Sequence, residues 1–377
     1  MKIGLLLPSV FMSSQYRKKI FAPKKLFLQL ADGLVERGHE VYVYSAEDVP
    51  TKAKVIGGET YLIEHTLPSL KFRDGSEEMI EKMAAQFTKT EFELGLTTKA
   101  YAHGVKIGLD IMHSYHDYMA HYISKLVPFP TVYSLHDPPY PEGTMEEWRL
   151  KQFPTDQFIP ISQSHRDSFS GKVRFTNVIY HGVNPGSYEL KVNKKKYFAF
   201  MGRYLKEKGV AEALEAAIAV DFALHLAGDN AYKKLEYYQK ELKPLIEKGR
   251  VVEVGFMDGQ DKNEFLGNAK AFLFPIKWEE PFGMVMLEAM ACGTPVVAFN
   301  RGSVSEIVVD GKTGFLVDPE TGVEGFIKAV RALTLLSDNL YTEMVHNCRQ
   351  HVEDHFSIET MVGEYEKLYK KVTSTKR

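Results

Sequence analysis

Residues 278–295 read WEEPFGMVMLEAMACGTP. From Met284 to Ala291 every position is apolar except Glu288. A helix that is apolar on all faces is a buried helix, and a carboxylate inside one is costly unless a partner meets it. Pro281 suits a first helical turn, and Phe282-Gly283 leaves backbone accessible just ahead of it. A helix N-terminus carries unpaired N–H groups and a partial positive charge. Glu280 stands eight positions before Glu288, about two helical turns away. Two carboxylates bracketing such a terminus would repel a phosphate set directly between them. They suit hydroxyl groups, which donate hydrogen bonds to carboxylates. Hydroxyls of a sugar or ribose are one partner for Glu288; a buried Arg or Lys is the other.

Outward from this stretch, short β-rich runs alternate with helical patterns. In the first half, strands are expected at 2–8, 39–45, 109–113, 130–136, 158–162 and 178–182. An amphipathic helix is expected over 22–38, with Pro23 in its first turn and Gly38 as its stop, and a longer one over 76–104. The segment GVNPGSYELKVNKKK (182–196) breaks the alternation with two glycines, a proline and four lysines and reads as a domain linker. Six further strands follow at 197–202, 223–228, 250–255, 270–275, 294–299 and 314–317, interleaved with helices. A last helix spans 357–372. Strand–helix–strand alternation argues for parallel sheets with crossover helices, and two such runs for two doubly wound domains. The expected domains are 1–185 and 196–355, with the helix at 357–373 packing back on the first. Open α/β sheets bind ligands at the carboxyl ends of their strands.

Composition excludes several classes. The 377 residues carry a net charge of −2, so no global basic field collects nucleic acid. The two cysteines are Cys292 and Cys348, too few for a disulfide framework, which fits a reducing cytoplasm. No apolar run is long enough for a membrane helix. MKIGLLLPSV reads as a strand and not a signal peptide.

A second constellation is MGRYLKEKG (201–209). A strand ends at Gly202; Arg203 and Lys208 follow, and Gly209 opens a helix. Two cations at a strand–helix turn can clamp a diphosphate, Arg through forked contacts and Lys as a point charge. Neither a Walker loop nor a dinucleotide glycine fingerprint is present. Taken in order, Arg203 and Lys208, LHLAGDN (224–230), the pair Glu280 and Glu288 in EPFGMVMLE, and AMACGTPVVAFNRGSVSEIVVDGKTGFLV (289–317) resemble the C-terminal domain of retaining family 4 glycosyltransferases. EYEKLYKKV (364–372) fits the same pattern.

The resemblance implies a GT-B fold, two doubly wound Rossmann-like domains facing across a cleft. It implies that Arg203 and Lys208, beside Gly202, hold the diphosphate of a nucleotide-sugar as leaving group. Glu288 would accept ribose hydroxyls, and Gly255 and Phe256 would border the base. Glu280 would meet the donor sugar, with the N–H groups of Phe282, Gly283 and Met284 nearby. His116 would reach the donor sugar from the N-terminal domain, with His113 and His136 as alternatives. Departure of a diphosphate needs charge stabilisation. The chain has no D-x-D sequence that would supply it through a metal, so no metal and no other cofactor are expected.

The implied activity is retaining transfer of a hexosyl group to a hydroxyl acceptor (a sugar, a lipid-linked sugar or a small molecule). UDP-glucose is the first donor and GDP-mannose the second. The alternatives are a GT-B phosphorylase or epimerase, or a non-catalytic nucleotide-sugar-binding subunit. SVFMSSQYRKKIFAPKK (9–25) lacks the glycine pair common after the first strand in this family. It gathers Arg17, Lys18, Lys19, Lys24 and Lys25 beside Ile20, Phe21 and Leu26. A solvated face is the plain reading; an acidic acceptor or an anionic membrane surface, hence a peripheral place at the inner face, is the sharper one.

Overall fold

The computed structural model describes residues 1–8, 23–47, 49–58, 77–115, 118–171 and 173–374. The basic residues 17–19 with Ile20 and Phe21 lie outside the described residues, as does His116. By internal contacts the chain forms two compact units: Met1–Pro160 with Phe169–Ile179 and Met361–Arg377, and Ile161–Ser168 with Tyr180–Thr360.

The first unit holds a seven-stranded parallel sheet in the order β3-β2-β1-β4-β5-β6-β7. Its strands are β1 (Lys2–Leu6), β2 (Glu40–Ser45), β3 (Lys54–Gly57), β4 (Ile111–Ser114), β5 (Thr131–Ser134), β6 (Gln157–Ile159) and β7 (Arg174–Phe175). Helices α1 (Pro23–Glu36) and α2 (Glu77–Ile107) are crossover helices of this sheet. Two expectations fail at its far edge. The strand expected over 158–162 stops at Ile159, because Pro160 has no N–H to continue a ladder. Residues 178–182 form no strand; the edge place belongs to β7, and Gly182 packs so close to Ser357 that a Cβ there would lie 2.5 Å from its carbonyl oxygen.

The second unit holds a six-stranded parallel sheet in the order β10-β9-β8-β11-β12-β13. These are Tyr197–Met201 (β8), Ala223–Ala227 (β9), Val251–Gly255 (β10), Ala271–Phe274 (β11), Val296–Phe299 (β12) and Gly314–Val317 (β13). Its helices are α3 (Val210–Ala219), α4 (Gly259–Asn268), α5 (Met284–Ala291), α6 (Gly322–Thr334) and α7 (Asp338–His355). Central strands β11 and β12 are buried on both faces, as sheets covered on two sides require. The sheet order reverses between β8 and β11, so the loops leaving these two strands lie at the switch point where such sheets take ligands.

The segment 182–196 is tied down along the second unit. Val183 pairs with Ser357, and Lys191 N donates to Cys292 O. The buried Lys194 ammonium donates to Gly267 O, Cys292 O and Thr294 Oγ1 at 2.9–3.1 Å. One cation thereby satisfies carbonyls at the ends of α4 and α5, where helix dipoles favour positive charge.

The last helix, α8 (Ile358–Ser374), runs into the first unit. Tyr369 OH lies 2.6 Å from His113 Nδ1, and Ser134 Oγ 2.7 Å from its Nε2. Glu366 meets Arg37 at 3.2 Å and His39 at 3.1 Å. Among the described residues no helix is long and apolar enough to cross a membrane.

Burial, and then the neighbouring His136, push the His113 imidazole down from 6.5 to about 3. The folded state therefore keeps His113 neutral while the unfolded chain binds a proton below about pH 6.5. Stability held by this group is full above that value and is lost as pH falls toward 3. Acidification from pH 7 to pH 5 should cost about 2 kcal/mol through it. Urea denaturation across that range should show the slope, and His113→Gln should flatten it.

Candidate functional site

The site starts from a glycine. Gly209 caps α3 in the left-handed conformation, φ +73°, and a Cβ there would sit 1.8 Å from the Pro275 carbonyl oxygen. The loop leaving β8 therefore lies directly on the chain leaving β11. This close approach puts Lys208 Nζ 3.1 Å from Glu280 Oε2 and 4.5 Å from the Trp278 ring centroid. Trp278 Nε1 donates to the same Oε2 at 2.9 Å. The Lys208 charge is thus already balanced by a carboxylate and an aromatic face. Arg203 is exposed, and among the described residues its guanidinium makes no ion pair or hydrogen bond. Gly202 donates its N–H to Ala227 O.

Four successive carbonyls of the loop ahead of α5 are occupied by the protein itself. Glu280 O accepts from Ser303 N at 2.9 Å and Gly283 O from Met286 N at 3.0 Å. Pro281 O accepts from Ser162 Oγ at 2.7 Å, and Phe282 O from Ser303 Oγ at 2.9 Å. Among the described residues the N–H groups of Phe282, Gly283 and Met284 make no hydrogen bond. The loop turns its acceptors inward and leaves three consecutive donors. Gly283, with φ +80°, supplies the left-handed residue that such a concavity needs.

Glu288 is 9% exposed. Its Oε1 takes the Lys262 ammonium at 2.6 Å and the Tyr188 hydroxyl at 3.4 Å. Burial first, then the Glu288 charge, hold the Tyr188 phenol well above its ordinary value. So the carboxylate has the cationic partner. Glu288 Oε2 and Glu280 Oε1 accept no hydrogen bond among the described residues, and each carboxylate keeps one oxygen for a hydroxyl. Lys262 carried no signal in the sequence: within GQDKNEFLGN it reads as one more charge on a solvated helix face.

Gly255 ends β10 with φ +76°, and its carbonyl accepts from Gly228 N at 2.9 Å. The Phe256 ring beyond it is 57% exposed, an aromatic face free for stacking. In the first unit, both ring nitrogens of His113 are committed, so it is a structural histidine. His136 is half-buried, its ring centroid 5.4 Å from that of Tyr115. Among the described residues no three His, Cys, Asp or Glu side chains stand together as a metal site.

Comparison with known proteins bears on both units. The family model "Glycosyl transferases group 1" matches residues 188–351, and "Glycosyltransferase Family 4" matches residues 25–187. An uncharacterized glycosyltransferase of Methanocaldococcus jannaschii is 27% identical, over 90% of this chain and 92% of its own. N-acetyl-alpha-D-glucosaminyl L-malate synthase of Bacillus anthracis is 24% identical over 90% and 91%. Further curated relatives match over about half to three fifths of their own length. Among solved structures, Anabaena HepE in complex with UDP and glucose superposes with a TM-score of 0.70. It is 20% identical, over 98% of this chain and 100% of that one.

The Lys262–Glu288 pair gives a stability test. Lys262→Met should destabilise the protein by about 2–3 kcal/mol by leaving a largely buried carboxylate unpaired. Glu288→Gln in that background should recover most of the loss. A double-mutant cycle in urea measures the coupling; additive losses would contradict it.

Proposed function

Because this chain belongs to the GT-B glycosyltransferases, which act with nucleotide-diphosphate sugar donors, we propose that it transfers a hexosyl group to a hydroxyl acceptor with retention and without a metal ion. The carrying observation is the 280–284 loop: three unpartnered N–H groups beside a half-engaged Glu280 and the Lys208 ammonium. Peptide donors suit the oxygens of the donor sugar. Arg203 and Lys208 then stabilise charge on the departing diphosphate, the largest electrostatic demand of the step. Glu280 holds donor-sugar hydroxyls through Oε1. Glu288 holds the ribose through Oε2, with Lys262 fixing the carboxylate through Oε1. Phe256 offers a stacking face to the base.

In this mechanism the acceptor oxygen bonds to the anomeric carbon on the face from which the diphosphate leaves. The carbon–oxygen bond to the diphosphate breaks, and the acceptor proton passes to a diphosphate oxygen. No protein nucleophile is required. His116 is the residue we assign to the donor sugar from the first unit, since His113 is committed elsewhere. UDP-glucose is the first donor to test, in line with the UDP and glucose bound by the Anabaena neighbour, and GDP-mannose the second. An acidic small-molecule acceptor has support in the malate named for the Bacillus anthracis relative.

Thermal-shift titration of the metal-free protein with UDP, GDP, ADP and their sugars, with and without EDTA, tests the reading. Ligand at a hundred times its Kd stabilises the fold by about 2.7 kcal/mol, so one nucleotide should raise Tm selectively and EDTA should not matter. Arg203→Ala and Lys208→Ala should weaken the diphosphate's shift. Glu288→Ala should lower transfer by roughly 100-fold or more in a folded protein. Wild-type nucleotide affinity in the cation variants, or full activity in Glu288→Ala, would contradict the assignment.

A further inference from the structure

The three free amides of the 280–284 loop have their direction set from behind. Among the described residues all peptide bonds are trans, and in a trans peptide the C=O and the next residue's N–H point in opposite directions. Fixing the Pro281 carbonyl therefore fixes the Phe282 N–H, and fixing the Phe282 carbonyl fixes the Gly283 N–H. Each of these two carbonyls is held by one side-chain hydroxyl, Ser162 on Pro281 and Ser303 on Phe282.

Both hydroxyls are fully buried. Ser162 Oγ also accepts the His165 N–H at 2.9 Å while donating to Pro281. Ser303 is fixed at its own main chain, where its N–H bonds to Glu280 O and its carbonyl accepts from Glu306 N at 2.9 Å. One carboxylate links the two serines. Glu306 accepts from Gln163 N at 2.7 Å, Ser164 N at 2.8 Å and Tyr180 OH at 2.8 Å, which holds the Ser162 segment against the one-turn helix Val304–Ile307 that follows Ser303. The preceding Gly302 has φ +60°, and a Cβ on it would lie 2.3 Å from Glu280 O, so this support lies directly on the loop backbone.

We propose that Ser162 and Ser303 are positioning residues that aim the Phe282 and Gly283 amides at the donor sugar. They touch no substrate; they set the orientation of the groups that do. The inference rests on assigning the 280–284 loop to the donor. Removing either hydroxyl leaves a buried carbonyl unsatisfied and its peptide plane free to rotate. Oriented amides act by being fixed before the charge develops, so a loosened plane costs rate without removing any contact atom.

The test uses the full chain with UDP-glucose and GDP-mannose as donors and with UDP and GDP alone. Ser162→Ala and Ser303→Ala should each lower kcat/KM for the preferred nucleotide-sugar about tenfold, and the double variant more. Affinity for the free nucleoside diphosphate, held by Arg203 and Lys208, should stay within about twofold. Ser162→Thr and Ser303→Thr, which keep the hydroxyl, should recover activity. Folded alanine variants with wild-type kcat/KM would overturn the inference alone. An equal loss of affinity for free diphosphate and nucleotide-sugar would make the serines merely structural and overturn it too. If the wild-type protein binds none of the nucleotide-sugars, the donor assignment falls and this inference falls with it.

Discussion

The site depends on one missing side chain. A Cβ at position 209 would stand 1.8 Å from the Pro275 carbonyl oxygen, in a backbone conformation of φ +73°. Only glycine lets the loop after β8 rest on the chain leaving β11. These two strands flank the point where the sheet order reverses, so the contact is made where a ligand would enter. It carries Lys208 onto Glu280 and over Trp278. Gly302 does the same from the other side of the loop, with room for nothing between it and the Glu280 backbone. The 280–284 loop is held between two glycine contacts, and any side chain at either would push it out of register.

Charge balance follows from this placement. Each carboxylate has a lysine, Lys208 for Glu280 and Lys262 for Glu288. A buried carboxylate without such a partner would be neutral or expelled. Each lysine engages a single carboxylate oxygen, and the second oxygen remains an acceptor. The two partners first considered for Glu288, a buried cation and a ligand hydroxyl, are therefore compatible: the cation is there already, and the hydroxyl has a place.

The second sheet was legible throughout, because its central strands are buried on both faces and its edge strands are also short apolar runs bounded by glycine. β3 and β7 were missed; they are short and half exposed at the sheet's edges, and carry almost no pattern. Residues 178–182 have strand composition but form none, since the chain there is held by backbone contact with Ser357. In the site, Lys208, Glu280 and Glu288 stand in contiguous stretches whose order along the chain carries their meaning. Ser162, Ser303 and Lys262 were invisible for a physical reason. Ser162 meets Pro281 across 119 positions, and in sequence both serines look like ordinary helix caps and turn residues.

The loop's donors are main-chain groups, and this divides what the site can select. A peptide N–H recognises an oxygen at a given place without regard to the rest of the molecule that carries it. A loop presenting three such donors, two of them aimed by buried serines, therefore fixes the geometry of a reaction and not the identity of a base. Identity has to come from side chains at the rim. On the proposed reading the exposed Phe256 ring stacks on any base, so the choice among bases falls to polar groups beside it. On that reading, reaction geometry and substrate choice rest on different parts of the chain: the first on a loop pinned by Gly302 and two buried serines, the second on side chains at the surface.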